Sequence, residues 1–127
     1  MIDHISIPVR DLAASARFYE AVLAPLGYKK LVERETTIGF GKSYPEVWLN
    51  KRENVERVSN PGCHICLRAP NEEAVRAFHS AALSRGGMDD GSPGPRQAAF
   101  TTYFGAFVID PDGNKFEAVT FPKTPAG

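Results

Sequence analysis

The chain has 127 residues, 43% of them hydrophobic, with 15 basic against 15 acidic side chains, a composition that suits one compact domain with a single core. Zero net charge and scattered basic residues leave no electrostatic drive towards phosphate backbones, and no apolar run approaches a membrane span or a signal peptide, so neither nucleic acid nor membrane is an expected partner. Two cysteines three positions apart are too few for a secreted disulfide framework, which points to free thiols in a cytoplasmic protein.

In chain order, IDHISIPV (2–9) alternates as a half-buried strand does. A helix follows, in which Leu12, Ser15, Ala16, Tyr19, Val22 and Leu23 recur at helical spacing; Asp11 precedes it as an N-cap and Gly27 ends it as a left-handed C-cap. YKKLVERE, TTIGFG and EVWLNKR read as three short strands, with a turn at the proline of SYPE. GCHICLRA (62–69) opens a second strand and helix, with Val75, Phe78, Ala82 and Leu83 on the buried stripe, Asn71 as cap and Gly87 as terminator. GSPGPR is expected as a loop. FTTYFGAFVID and NKFEAVTF are two strands joined by the tight turn Asp110-Pro111-Asp112-Gly113, and residues 123–127 are expected to fray.

The order is therefore βαβββ twice, and the two copies align without a gap at an offset of 60. His4 meets His64, Ile5 meets Ile65, Ala14 meets Ala74, Phe18 meets Phe78, and Gly27 meets Gly87. Neither unit, about 1–58 or 61–122, is large enough to bury its own sheet. Together they are expected to form one α+β domain over 1–122, its mixed sheet curled around a cleft.

Neighbouring side chains on a strand leave opposite faces, so Cys63 and Cys66 diverge and cannot share a metal as a Cys-x-x-Cys turn would. The same parity sets His64 with Cys66 and Arg68 on one face. Because His4 holds the matching place in the first unit, two-fold pseudosymmetry aims two imidazoles at a common point. Glu117, set between Phe116 and Ala118 in a core-like strand, is a carboxylate that would complete a divalent-metal set. Spacing alone leaves a second reading open, in which each histidine is a hydrogen-bonded strand residue and Glu117 faces solvent.

The openings HISIPVRDLAASARFY and GCHICL and the ending DPDGNKFEAV resemble the vicinal oxygen chelate superfamily, which contains glyoxalase I, extradiol dioxygenases, fosfomycin-resistance thiol transferases and bleomycin-resistance proteins. The resemblance covers nearly the whole chain and implies metal ligands at His4, His64 and Glu117. It also implies a homodimer, a small-molecule partner and a divalent cofactor: zinc, manganese, iron or nickel. Several departures bear on the reaction. Setting EVWLN against NKFEA places Leu49 opposite Glu117, where glyoxalase I has a fourth ligand, although Glu46 would serve in a slipped register. Phe107 stands where extradiol dioxygenases carry a tyrosine, and Gln97 to Thr102 hold no histidine to act as their acid–base. The serine and tyrosine with which the fosfomycin enzymes hold phosphonate fall near Gly105 and Phe107.

By parity Tyr103, Gly105 and Phe107 share a face, and family topology would turn it towards the metal; with Phe100 and Trp48 it would form an aromatic pocket. The alternative is that these rings are ordinary core. Arg96 would hold an anionic substrate group or be a solvated loop charge, and His79, the repeat partner of Tyr19, is expected on the helix surface. Two functions are expected: a metalloenzyme using a Lewis-acidic ion on a vicinal-oxygen substrate, with no catalytic residue identified, or a non-catalytic binding protein of bleomycin-resistance type.

Overall fold

The computed structural model describes residues 1–54, 56–59 and 61–122; the tail expected to fray, 123–127, lies outside them. Its elements follow the repeat. The first unit holds β1 (Ile5–Val9), α1 (Leu12–Leu23), a short 3-10 turn (Ala24–Leu26), β2 (Lys29–Glu33), β3 (Thr37–Gly41) and β4 (Pro45–Lys51). The second holds β5 (Ile65–Arg68), α2 (Glu72–Ser84), β6 (Met88–Gln97), β7 (Thr102–Ile109) and β8 (Lys115–Thr120).

Each unit folds into a four-stranded mixed sheet, ordered β1-β4-β3-β2 and β5-β8-β7-β6, so the first strand of each unit lies parallel to its last. Alternation then sorts the faces. Ile7, Val9, Val47, Leu49, Ile38 and Phe40 are buried on one side of the first sheet, and Phe104, Ala106, Val108, Phe116 and Ala118 on one side of the second. The helices supply Phe18, Tyr19, Val22, Leu23, Val75 and Phe78 to a single core, and α1 packs directly on α2. The opposite face of each sheet carries no helix among the described residues and holds the polar and aromatic residues considered below.

Both N-caps form as expected: Asp11 Oδ1 accepts from Ala14 N–H at 3.0 Å and Asn71 Oδ1 from Ala74 N–H at 2.9 Å, each contributing about 1 kcal/mol. The first helical run closes at Gly27, whose φ is 89°. The second departs from expectation, because Gly86 (φ 91°) takes the left-handed place and Gly87 N–H bonds back to Ala82 carbonyl at 2.8 Å.

GSPGPR, expected as a loop, belongs instead to β6, which pairs with β7 through Gly94↔Gly105, Pro95↔Phe104 and Arg96↔Tyr103. β6 is the edge of its sheet, where a missing proline N–H costs nothing, and register shifts on both sides of Gly91 absorb the irregularity. His79 also departs from expectation. It is 8% exposed, and its Nε2 lies 2.8 Å from Asp89 Oδ1 on β6, tying α2 to the sheet edge.

The Asp110–Asn114 turn does more than reverse the chain. Asp110 accepts from Tyr19 hydroxyl at 2.6 Å, from the backbone of Asp112 and Asn114, and from Asn114 Nδ2. Asp112 accepts from Arg10 Nε and backbone and from Ser15 hydroxyl, while Asn114 Nδ2 donates to Pro8 carbonyl. These bonds join the two units around two buried carboxylates whose partners satisfy them.

Candidate functional site

The site is built on the helix-free face of the second sheet. Ile65 and Leu67 pack against the core, so Cys66 and Arg68 point the other way, and His64 stands just before the strand. Cys66 pairs in register with Glu117 on β8, and Glu117 pairs with Phe107 on β7. Sheet geometry thus gathers His64, Cys66, Glu117 and Phe107 without any long loop.

His64 Nε2 lies 3.0 Å from Glu117 Oε1, and the imidazole meets the Phe107 ring edge-on at 5.5 Å. Glu117 is only 4% exposed, so the expectation that it might face solvent does not hold. Its second oxygen, Oε2, is buried and has no hydrogen-bond partner among the described residues. A carboxylate buried with one oxygen unsatisfied costs stability, which a bound cation would offset, as would a hydrogen bond from the neighbouring Cys66 thiol or Tyr103 hydroxyl. Gly105 leaves room there: a methyl group on it would sit 3.0 Å from Tyr103 Cε2 and 3.3 Å from Glu117 Oε2. Burial, and then the Glu117 carboxylate, push the Cys66 thiol up to about 12; the same two causes raise the Tyr103 hydroxyl.

His4 is elsewhere. It is exposed at the start of the first unit, with Nδ1 2.7 Å from Asp3 Oδ1, and Tyr44 hydroxyl donates to the other oxygen of Asp3 at 3.1 Å. Within one chain no three His, Cys, Asp or Glu side chains converge as a metal site among the described residues. His64 and Glu117 are brought together, and His4 is not brought to them. The cysteines are both exposed and both free.

The registers also correct the alignment of the two last strands. Ser6 pairs with Trp48 exactly as its repeat partner Cys66 pairs with Glu117, so Trp48, not Leu49, occupies the place equivalent to Glu117. Leu49 is fully buried on the helix side, since a one-residue shift exchanges faces. Trp48 leans across Gly39, its register partner, and Arg34 lies over its ring at 6.0 Å. Neither residue can coordinate a metal, and Glu46 stands two positions away from the equivalent place.

Of the other expected pocket residues, Tyr103 and Phe107 are half-buried on the Glu117 face, whereas Phe100 is fully exposed on the β6–β7 connection. Arg96 is a brace for its own hairpin. Its guanidinium donates to the carbonyls of Ser92, Gly94 and Gly105 at 2.8 to 2.9 Å and lies 5.4 Å over Phe107. Arg68 shares the face of Cys66, as strand parity requires.

The sequence pattern of the glyoxalase/bleomycin resistance protein/dioxygenase superfamily matches residues 1–118. Among solved structures, a glyoxalase/bleomycin resistance protein from Albidiferax ferrireducens T118 shares 28% identity over 92% of this chain and 96% of that one, with a TM-score of 0.82. Two others are alike in fold: a glyoxalase-related enzyme from Fulvimarina pelagi (20% identity, 100% and 92% covered, TM-score 0.73) and the fosfomycin resistance protein FosX from Mesorhizobium loti (20% identity, 96% and 92% covered, TM-score 0.65). No curated protein matches the sequence.

Proposed function

The chain belongs to the glyoxalase/bleomycin resistance protein/dioxygenase superfamily, and from that premise we propose that it is a small-molecule metalloenzyme whose divalent ion is held by His64 and Glu117 of one copy and His4 of a second. The observation that carries this reading is Glu117: buried, bonded to His64 through one oxygen, and left with the other unsatisfied. His4 suits the third position because a carboxylate on one ring nitrogen orients the imidazole and leaves the other nitrogen to ligate, the arrangement metal-ligating histidines use. A single chain assembles only two of the three donors, so the reading requires a dimer in which the first unit of each copy faces the second unit of the other.

A divalent ion there supplies Lewis acidity towards two neighbouring oxygens of a substrate. The chain's own residues shape what binds beside it. Phe107 and Tyr103 wall the face with apolar surface, and Gly105 keeps the space between Tyr103 and Glu117 open. Trp48 in place of a fourth ligand leaves the donor set at two imidazoles and one carboxylate. No helix among the described residues is long and apolar enough to cross a membrane, and the two free thiols suit a reducing cytoplasm.

A second reading is favoured by the His64–Glu117 bond itself, which is already made at 3.0 Å: the face would then be a metal-free binding site of bleomycin-resistance type. Metal analysis separates the two. Protein purified without chelator contains about one divalent ion per chain under the first reading. Metal-free protein whose His64→Ala variant keeps its ligand affinity would establish the second.

A further inference from the structure

We propose that Arg68 recognises an anionic group on the ligand, so that the substrate is a small oxyanion-bearing molecule with a flat apolar body. The proposal rests on the candidate site being the ligand-binding face. Arg68 follows Cys66 by two positions on β5 and therefore shares its face, and the two residues pair with Val119 and Glu117 respectively. The offset along the strand places the arginine backbone roughly 7 Å from that of Cys66, about the span of one substituted ring.

Three observations combine at Arg68. First, it is exposed and, like most of the chain's lysines and arginines, makes no ion pair among the described residues, so its charge is free to meet a ligand. Second, its guanidinium is positioned by an aromatic ring: it lies 4.9 Å over Phe121, whose ring in turn lies 6.0 Å from Tyr103. Third, it lines a cleft of about 790 Å³ at the seam between the units, where the other charged residue is Lys42 and no acidic side chain contributes to the wall. Phe121 also walls a neighbouring cleft of about 360 Å³ that reaches Tyr103. The two clefts share Pro70, Thr120, Phe121 and Pro122; the one that reaches Tyr103 carries Glu72 on its wall, so the cationic lining is confined to the Arg68–Lys42 side. A guanidinium held on an aromatic face keeps its planar donors free for two parallel bonds to a carboxylate or a similar oxyanion. Arg96, the arginine expected to do this from sequence, has donors committed to backbone carbonyls.

Benzoate and its neutral counterpart benzamide test the proposal, titrated by calorimetry into metal-free protein. Wild type is expected to bind benzoate at least about tenfold more tightly than benzamide, the value of one charge-assisted pair. Arg68→Gln loses that preference while Arg68→Lys keeps part of it. Wild type with no preference, or Arg68→Gln with the full preference, overturns the proposal. Divalent-ion uptake by the same proteins is a separate readout: its absence in wild type contradicts the metalloenzyme reading and leaves the benzoate result standing.

Discussion

His64 and Glu117 are bonded at 3.0 Å across a parallel strand pair, yet they differ sharply in environment: the histidine side chain is 45% exposed and the carboxylate 5%. The partner that water can reach offsets little of the cost of burying the other. Replacing Glu117 by methionine, of similar length and no charge, is therefore expected to stabilise the metal-free protein by about 1 to 3 kcal/mol while abolishing metal uptake. Thermal unfolding in chelator, read beside metal content, checks both halves. A destabilised Glu117→Met protein would mean that the carboxylate is already satisfied.

Cys66 reports on the same carboxylate. Partial burial of the side chain and the Glu117 carboxylate push its thiol up to about 12, so at pH 8 little of it is thiolate although part of the residue reaches water. Iodoacetamide is expected to label Cys66 more slowly than Cys63, as followed by mass spectrometry, and Glu117→Gln should speed the labelling of Cys66. Equal rates in the wild type would show that Glu117 does not face Cys66.

Asp89 carries a pH dependence whose sign is fixed by its partners. The His79 bond first, and Gly91 N–H second, hold its carboxyl below the ordinary 3.8. A depressed carboxyl contributes stability that is fully present above 3.8 and is lost as pH falls through the lower folded value. In a carbon-detected NMR titration, Asp89 is expected to titrate below 3.8 in the wild type and part of the way back towards it in His79→Gln. No movement would detach His79 from Asp89.

Tyr19 tests the staple between the units. Tyr19→Phe removes the 2.6 Å bond to Asp110 inside the core and is expected to cost about 1 to 3 kcal/mol in urea unfolding. A neutral effect would mean that Asn114 alone satisfies that oxygen.

Much of this arrangement was legible in the chain, and the exceptions have physical causes. Alternation and helical spacing located the strands, the helices and the faces, because the repeat states each of them twice. Periodicity does not fix where two strands sit along one another, which is why Leu49 seemed to match Glu117 until the Ser6–Trp48 and Cys66–Glu117 registers were seen. GSPGPR looked like a loop because proline and glycine weaken strands, and an edge position removes most of that penalty. His79, Tyr19 and the Asp110–Asn114 turn owe their roles to partners brought close only by tertiary folding; those of Tyr19 and Asp112 lie 91 to 102 positions away. Strand parity sets Arg68 on the face of Cys66, but that its guanidinium lies over Phe121 is a property of the folded surface.

The central claim is that the donor set is completed between two copies. Metal content after mixing inactive partners tests it most directly: His4→Ala and Glu117→Ala proteins, each lacking metal, are unfolded together, refolded and dialysed against manganese. Random pairing gives heterodimers with one intact site each, so the mixture is expected to recover about a quarter of the wild-type metal content. A mixture that binds no more metal than either variant alone would contradict the shared site.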